Sequence, residues 1–244
     1  MIKHLPIWII LGISIGWVTA QPLYSQESHQ GMMFGVEFSP DYSYRYAMSN
    51  QNPKYVVLAK NDSEWSDWRY SLGIFTRSET GRKIEYELGL QFSRQGYESH
   101  ISVTNLPGYP VGKGYIDVIF NYIKIPLILH FRTPTIRSEI YFTSGVSADF
   151  LVYDDEIVHI TYIDGRTITY GTTHRNDNLN KFIITAIGGV GYSFKILKSF
   201  RMYLEPTFRI ALIPNEPKRT LEYNYSFGFQ AGIARRMYRF NKSN

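Results

Sequence analysis

From residue 31 onward, apolar and polar side chains alternate along the chain with a period of two. Residues 83–93 carry the pattern most cleanly. Ile84, Tyr86, Leu88, Leu90 and Phe92 fall on one face; Lys83, Glu85, Glu87, Gly89, Gln91 and Ser93 fall on the other. Side chains alternate across a strand, so this segment predicts a strand with one greasy and one polar face. The same alternation recurs at Phe34–Phe38, Trp68–Ile74, Ile140–Phe150, Phe182–Phe194, Met202–Leu212 and Tyr225–Ile233. A less regular stretch at roughly 118–132 sets Ile123, Ile125, Leu127, Leu129 and Phe131 against Lys124 and His130. Eight strands result, most about 10–16 residues long, against a usual ~5–6 in globular proteins. A tilted strand crossing a membrane needs about 9–11.

The connections add an independent signal. Short stretches at 78–82, 133–137 and 197–199 alternate with longer ones at 40–67, 96–117, 153–180 and 214–222. An up-and-down outer-membrane barrel has this layout, with short turns inside and long loops outside. Within the third long connection, Ile157–Ile163, Asp164-Gly165 and Arg166–Tyr170 predict a local hairpin closed by a type I′ turn. It reads as an extension of the wall above the membrane; the rival reading makes it two more spanning strands. Pro126 and Pro206 fall inside predicted strands, where a missing N–H predicts a bulge at each.

Alternation alone does not say which face is inside. A soluble barrel keeps apolar residues in; a membrane barrel turns them out and closes its ladder so that no backbone group meets lipid unpaired. Side-chain size decides. The polar faces are crowded with Gly, Ser, Thr and Ala among the charges, which suits the narrow interior of eight strands. The apolar faces carry bulky Phe, Tyr, Trp, Leu and Ile, with Trp65 and Trp68 expected in an aromatic girdle. The expected fold is all-β: an eight-stranded antiparallel up-and-down transmembrane β-barrel.

The first twenty residues differ. Lys3 precedes an apolar run from Leu5 to Val18, and Val18-Thr19-Ala20 offers small residues for cleavage between Ala20 and Gln21. The run is too short to cross a ~30 Å core as a helix, so it reads as a secretory signal, with an uncleaved anchor as the alternative. The expected organisation is a signal at 1–20, a short periplasmic segment at 21–30, a barrel at 31–240 and a tail at 241–244. The chain holds 20 Tyr, 15 Phe, 4 Trp and no Cys. Disulfides, thiol chemistry and Cys-based metal sites are thereby excluded. The formal charge of +5 suits anionic headgroups but is ordinary for any protein.

Two stretches resemble a known family. Tyr122-Ile123-Lys124-Ile125-Pro126-Leu127-Ile128-Leu129 and Gly89-Leu90-Gln91-Phe92-Ser93-Arg94-Gln95-Gly96-Tyr97 resemble strands of PorT-like outer-membrane β-barrel proteins. The resemblance implies a small outer-membrane barrel, and some members of that family are linked to protein secretion. Tyr238 and Phe240 in the last strand are similar to the signal read by the barrel-assembly machinery, although Asn241 to Asn244 follow them.

Candidate chemistry is sparse. Glu37, Arg69, Glu85, Glu87, Lys124, Asp149, Glu205 and Arg209 are expected to face the lumen, as an internal salt-bridge network or as the lining of a selective pore. A narrow lumen full of paired charges leaves little room for water, which favours the network. The six His residues show no metal-ligand spacing. His159 and His174, near Asp154, Asp155 and Glu156, are the one group compatible with a lipid-modifying enzyme at the rim, and no nucleophile-elbow motif accompanies them. No cofactor, metal or nucleic acid is expected. The leading expectation is a non-enzymatic barrel, an envelope scaffold or secretion accessory, whose outer loops contact partners. The expected partners are outer-membrane lipid and lipopolysaccharide, the barrel-assembly machinery and other envelope or secretion proteins. The alternative is transport of a small or apolar solute.

Overall fold

A computed structural model describes residues 31–49, 54–80, 83–101, 111–133, 138–162, 164–174, 179–197, 199–215 and 220–237. The predicted signal, Ala20 and Gln21, the 21–30 segment, Tyr238, Phe240 and the 241–244 tail lie outside the described residues. Nine strands and one helix follow in chain order. They are β1 (Met32–Ser49), α1 (Lys54–Ser63), β2 (Glu64–Thr80), β3 (Ile84–Ile101), β4 (Val111–Arg132), β5 (Ser138–Tyr162), β6 (Thr167–His174), β7 (Phe182–Leu197), β8 (Phe200–Ala211) and β9 (Thr220–Met237).

Eight strands close into a ring. The ladder runs β4-β3-β2-β1-β9-β8-β7-β5, and β5 pairs back onto β4. All these pairings are antiparallel, including β1 with β9, the first strand with the last. Closure removes every edge within the ring, so no spanning backbone group is left without a partner strand.

Burial fixes the facing. Leu88, Leu90 and Phe227 are 50%, 49% and 56% exposed, whereas Glu85 and Arg209 are 1% and 3% exposed. Apolar side chains therefore line the outside and charged ones the inside, the arrangement of a barrel solvated by lipid. Aromatic residues gather where the apolar belt ends. Tyr42 packs on Trp68 with ring centroids 5.3 Å apart, and Trp65 stands edge-on to His100 at 5.6 Å.

Several features depart from the sequence reading. The long connections are largely strand. β1 runs on to Ser49, β3 to Ile101 and β5 to Tyr162, while β4 starts at Val111. Polar, Thr- and Tyr-rich segments keep their ladder outside the bilayer because water tolerates either face. The first connection also contains α1. Its Asn61 side chain accepts from Ala47 N (3.1 Å) and donates to Ala47 O (3.2 Å), pinning the helix to β1.

Neither proline makes a bulge. The β3–β4 ladder skips from Leu88↔Leu127 to Gln91↔Lys124 without a shift. The β7–β8 ladder skips from Gly189↔Thr207 to Tyr192↔Leu204 in the same way. A shifted register would flip every later side chain to the wrong face, so the missing bond is tolerated instead. Bulges form elsewhere, in β2 between Ser66 and Tyr70 and beside Asn121 and Tyr122.

The predicted hairpin exists as the β5–β6 extension, outside the ring of eight. Its turn is not type I′. Gly165 N donates to Tyr162 O (3.0 Å) and Tyr162 N to Arg166 O (2.8 Å). Among described residues only Gly165 has positive φ, at 84°. That matches a three-residue connection with one left-handed glycine at its end.

Candidate functional site: a charge-paired interior

The interior is built by alternation, because every second residue of each ring strand points to the axis. Near the short turns, Arg77 of β2 is fully enclosed. Its Nε and Nη2 donate to Glu87 of β3 at 2.9 and 2.5 Å, and its Nη1 lies 3.6 Å from Glu85. Its guanidinium sits 4.2 Å from the centre of the Tyr203 ring. His130 of β4 places Nε2 3.2 Å from Glu87 and Nδ1 3.1 Å from Thr143. Nδ1 is also 4.0 Å from Glu205. Arg132 bridges Glu85 and Glu139 at 3.0 Å each, and Arg201 donates twice to Glu139 at 3.1 Å.

Met33, Phe75, Tyr141, Tyr203 and Ala234 pack among these charges. Two glycines make room for the rings. A Cβ on Gly35 would strike Phe75, and one on Gly191 would strike the Tyr141 ring. Large aromatics lying across glycines fill the tube and leave a dry surround, which strengthens the ion pairs.

At mid-height the carboxylates are held by amides and hydroxyls. Glu37 accepts from Gln91 at 2.6 Å and also from Gln230. Asp41 accepts from Ser39 (2.6 Å), Ser71 (2.5 Å) and Arg209 (2.6 Å). Lys124 lies 3.3 Å from Asp149, which also accepts from Thr185 at 2.7 Å and from Ser147.

Above this layer, Tyr97, Val118, Phe120, Tyr122, Ile183 and Ala211 form an apolar cluster inside the barrel. A final ion cluster covers it. Arg45 pairs with Glu64 and Glu222, and Lys60 of α1 also pairs with Glu222. The Arg45 guanidinium rests 3.8 Å over the Tyr97 ring. Ser43 repairs the ladder beside the β2 bulge by bonding Gly96 O (2.7 Å) and Gly96 N (3.0 Å).

Seven of the eight sequence-derived charges (Glu37, Glu85, Glu87, Lys124, Asp149, Glu205 and Arg209) are buried in this interior. Arg69 does not join them. It pairs with Asp67 at 2.5 Å and with Asp117. Asp117 stands opposite Glu98, on the face of β3 away from buried Tyr97. In the β1–β2 register Arg69 stands opposite buried Asp41, and its side chain is 9% exposed. It sits beside the β2 bulge and pairs there rather than with the other lumen charges. Burial raises Glu98 and Asp117 above the usual carboxylate range, with Asp67 adding repulsion to both. Lys83, Lys181 and Lys195, which the period of two also assigns to the polar face, are exposed where their strands meet the barrel ends.

Sequence reading missed Asp41, Arg45, Arg77 and Glu222. Continuing the period of two past Pro40 and Ile74 would have placed Asp41, Arg45 and Arg77 on the inner face.

No group of three or more potential metal ligands occurs among the described residues. At the rim, His159 stacks on Tyr115 at 4.5 Å and its Nδ1 lies 3.2 Å from Thr169 Oγ1. Register brings His174 opposite Asp154, away from His159.

A family model described as "Outer membrane protein beta-barrel domain" matches residues 20–208. No curated protein matches the chain. Among solved structures, the chain is similar to Ail of Yersinia pestis (10% identity, TM-score 0.39, 86% of this chain and 100% of that one). It is similar to neisserial surface protein A (10%, 0.41, 84% and 97%). It is likewise similar to OprG of Pseudomonas aeruginosa (12%, 0.41, 87% and 97%).

Proposed function

This chain belongs to the outer-membrane β-barrel domain family and resides in the cell outer membrane, and from there we propose that it is a sealed, non-enzymatic envelope scaffold acting through its extracellular side. The observation that carries this is the filled interior. Ion pairs, aromatic rings and an apolar cluster succeed one another from the short turns to the mouth, where α1 is bonded to β1 and β9. A water-filled channel would leave those charges solvated; here Arg77, Glu87, Asp149 and Asp41 are almost wholly enclosed.

What remains available to other molecules is the outer wall and the tall strands above it. The wall fits lipid and lipopolysaccharide. The strands fit other envelope proteins, and the resemblance to PorT-like barrels supports a secretion-accessory role among these. Assembly through the barrel-assembly machinery accompanies this reading.

Single-channel recording in planar bilayers tests it. The purified barrel is expected to give no reproducible open level. A stable, repeatable conductance step would overturn the sealed-scaffold reading and support solute transport.

A further inference from the structure

β5 runs without a break from Ser138 to Tyr162 and changes partner on the way. Up to Phe150 it pairs with β7. From Asp154 to Thr161 it pairs instead with β6. β6 ends the sheet order and bonds to β5 alone. Among the described residues its other edge has no partner strand, and Thr167 to Thr173 are all exposed.

The polarity of that edge can be worked out residue by residue. Tyr162 N donates to Arg166 O, so Arg166 occupies a hydrogen-bonded site with β5. Sites alternate along an antiparallel pair. Ile168, Tyr170 and Thr172 therefore direct their N–H and C=O groups to β5. Thr167, Thr169, Gly171 and Thr173 direct theirs away from it.

Three of these four residues also bond across to β5 through their side chains. Thr167 Oγ1 lies 3.3 Å from Thr161 Oγ1, Thr169 Oγ1 lies 3.2 Å from His159 Nδ1, and Thr173 Oγ1 donates to Asp155 at 2.7 Å. A Cβ on Gly171 would meet nothing within 4 Å. The usual devices that blunt an edge (Pro, Lys, an inward charge or a bulge) are absent from Thr167-Ile168-Thr169-Tyr170-Gly171-Thr172-Thr173.

The two faces beside the edge differ. Register sets Ile168 against Ile160, Tyr170 against Val158, and Val158 against Ile116 of β4. That face is an apolar stripe three strands wide. The other face carries Thr167, Thr169 and Thr173 beside the Tyr115–His159 stack. A fourth strand would continue both faces only if its own residues alternate apolar and polar.

We infer that the open edge of β6 docks one extended segment of a partner polypeptide, with alternating apolar and polar residues, by strand addition. Main-chain hydrogen bonds hold such a segment, and alternate side chains select it. The inference rests on the reading above that this chain works through contacts outside the membrane, and it specifies what that contact is.

The test uses the full chain in lipid nanodiscs. The probe is a capped octapeptide alternating valine with threonine and ending in lysine. Amide hydrogen exchange is read by NMR. Without peptide, the N–H groups of Thr167, Thr169, Gly171 and Thr173 are expected to exchange fast, and those of Ile168, Tyr170 and Thr172 slowly. Saturating peptide is expected to slow the first set about tenfold or more. Thr169→Pro removes one outward N–H and is expected to weaken peptide binding at least about tenfold, with Ile168 and Tyr170 still protected. Should Thr169→Pro unfold the hairpin, Gly171→Lys supplies the same block without touching a β5 bond.

Unchanged exchange at the four residues overturns the inference. So does equal binding of a peptide with the same composition in two blocks, or peptide-free dimerisation that protects these amides. A conductance step would instead overturn the sealed-scaffold reading, whatever the edge does.

Discussion

Replacing Arg77 with leucine separates a dry interior from a wet one by magnitude alone. Arg77 gives Glu87 two hydrogen bonds and lies 3.6 Å from Glu85. After Arg77→Leu, Glu85 keeps Arg132 at 3.0 Å, but Glu87 keeps only His130 at 3.2 Å. Breaking a buried pair by removing one partner costs about 3–5 kcal/mol, because a charge is left uncompensated. Since His130 remains, a loss near 3 kcal/mol is expected. A solvated pair is worth only about 0–1 kcal/mol.

The assay is urea unfolding in lipid vesicles, followed by tryptophan fluorescence. The double variant Arg77→Leu/Glu87→Gln is expected to recover about 2 kcal/mol of that loss, within the range seen for coupled contacts. A loss below about 1 kcal/mol, or no recovery in the double variant, would refute the claim that this part of the lumen is sealed from water.

Three further outcomes are expected. Leu88→Arg puts a charge on the lipid face at mid-belt and is expected to cost about 2–4 kcal/mol, read by the same urea titration; a neutral result would move the belt elsewhere. Gly191→Ala drives a methyl into the Tyr141 ring and is expected to cost about 1–3 kcal/mol as overpacking, with Tyr141→Leu in the same chain relieving the clash; heat-dependent gel mobility and urea midpoints check both. Glu98 titrates above its ordinary value because of burial and the nearby Asp67 and Asp117. A raised folded value means the fold holds the proton more tightly than the unfolded chain, so this contribution is present at low pH and lost as pH rises through that value. Glu98→Gln is thus expected to raise the unfolding free energy at pH 7 by a few tenths of a kcal/mol at this partly buried, screened site, and to leave it unchanged at pH 4. An equal shift at both values would contradict the assignment.

The wall of this barrel is legible in the sequence because lipid and lumen impose opposite demands on neighbouring residues. Ile84 to Ser93 separates the two faces, and the bulk of the apolar side chains against the small and charged polar ones, repeated over eight strands, tells which face is outside. The network within is only partly legible. Asp41 and Arg77 continue the alternation, but a pattern judged on apolar positions stops at Phe38 and Ile74, before either is reached. Partner choice is not legible at all. That Arg77 meets Glu87 and Arg209 meets Asp41 follows from register and ring closure, which join residues far apart in the chain. Arg69 shows the limit most directly: its place opposite Asp41 follows the alternation, but its pairing with Asp67 and Asp117 is not announced by anything local. The prolines misled for a similar reason, because a skipped ladder bond preserves the facing of β4 and β8 whereas a bulge would not.

The strands are unequal in height. β5 has 25 residues and β4 has 22, while β8 has 12. At about 3.3 Å per residue, β5 is roughly 80 Å along its own path and β8 about 40 Å. An apolar band about 25 Å tall absorbs a similar length of each, so the surplus stands on one flank as a fence. Anything descending on the cell meets a lopsided parapet, tall on the flank of β4 and β5 and low on the flank of β8. The rim is thus asymmetric in its backbone alone, before any side chain is counted.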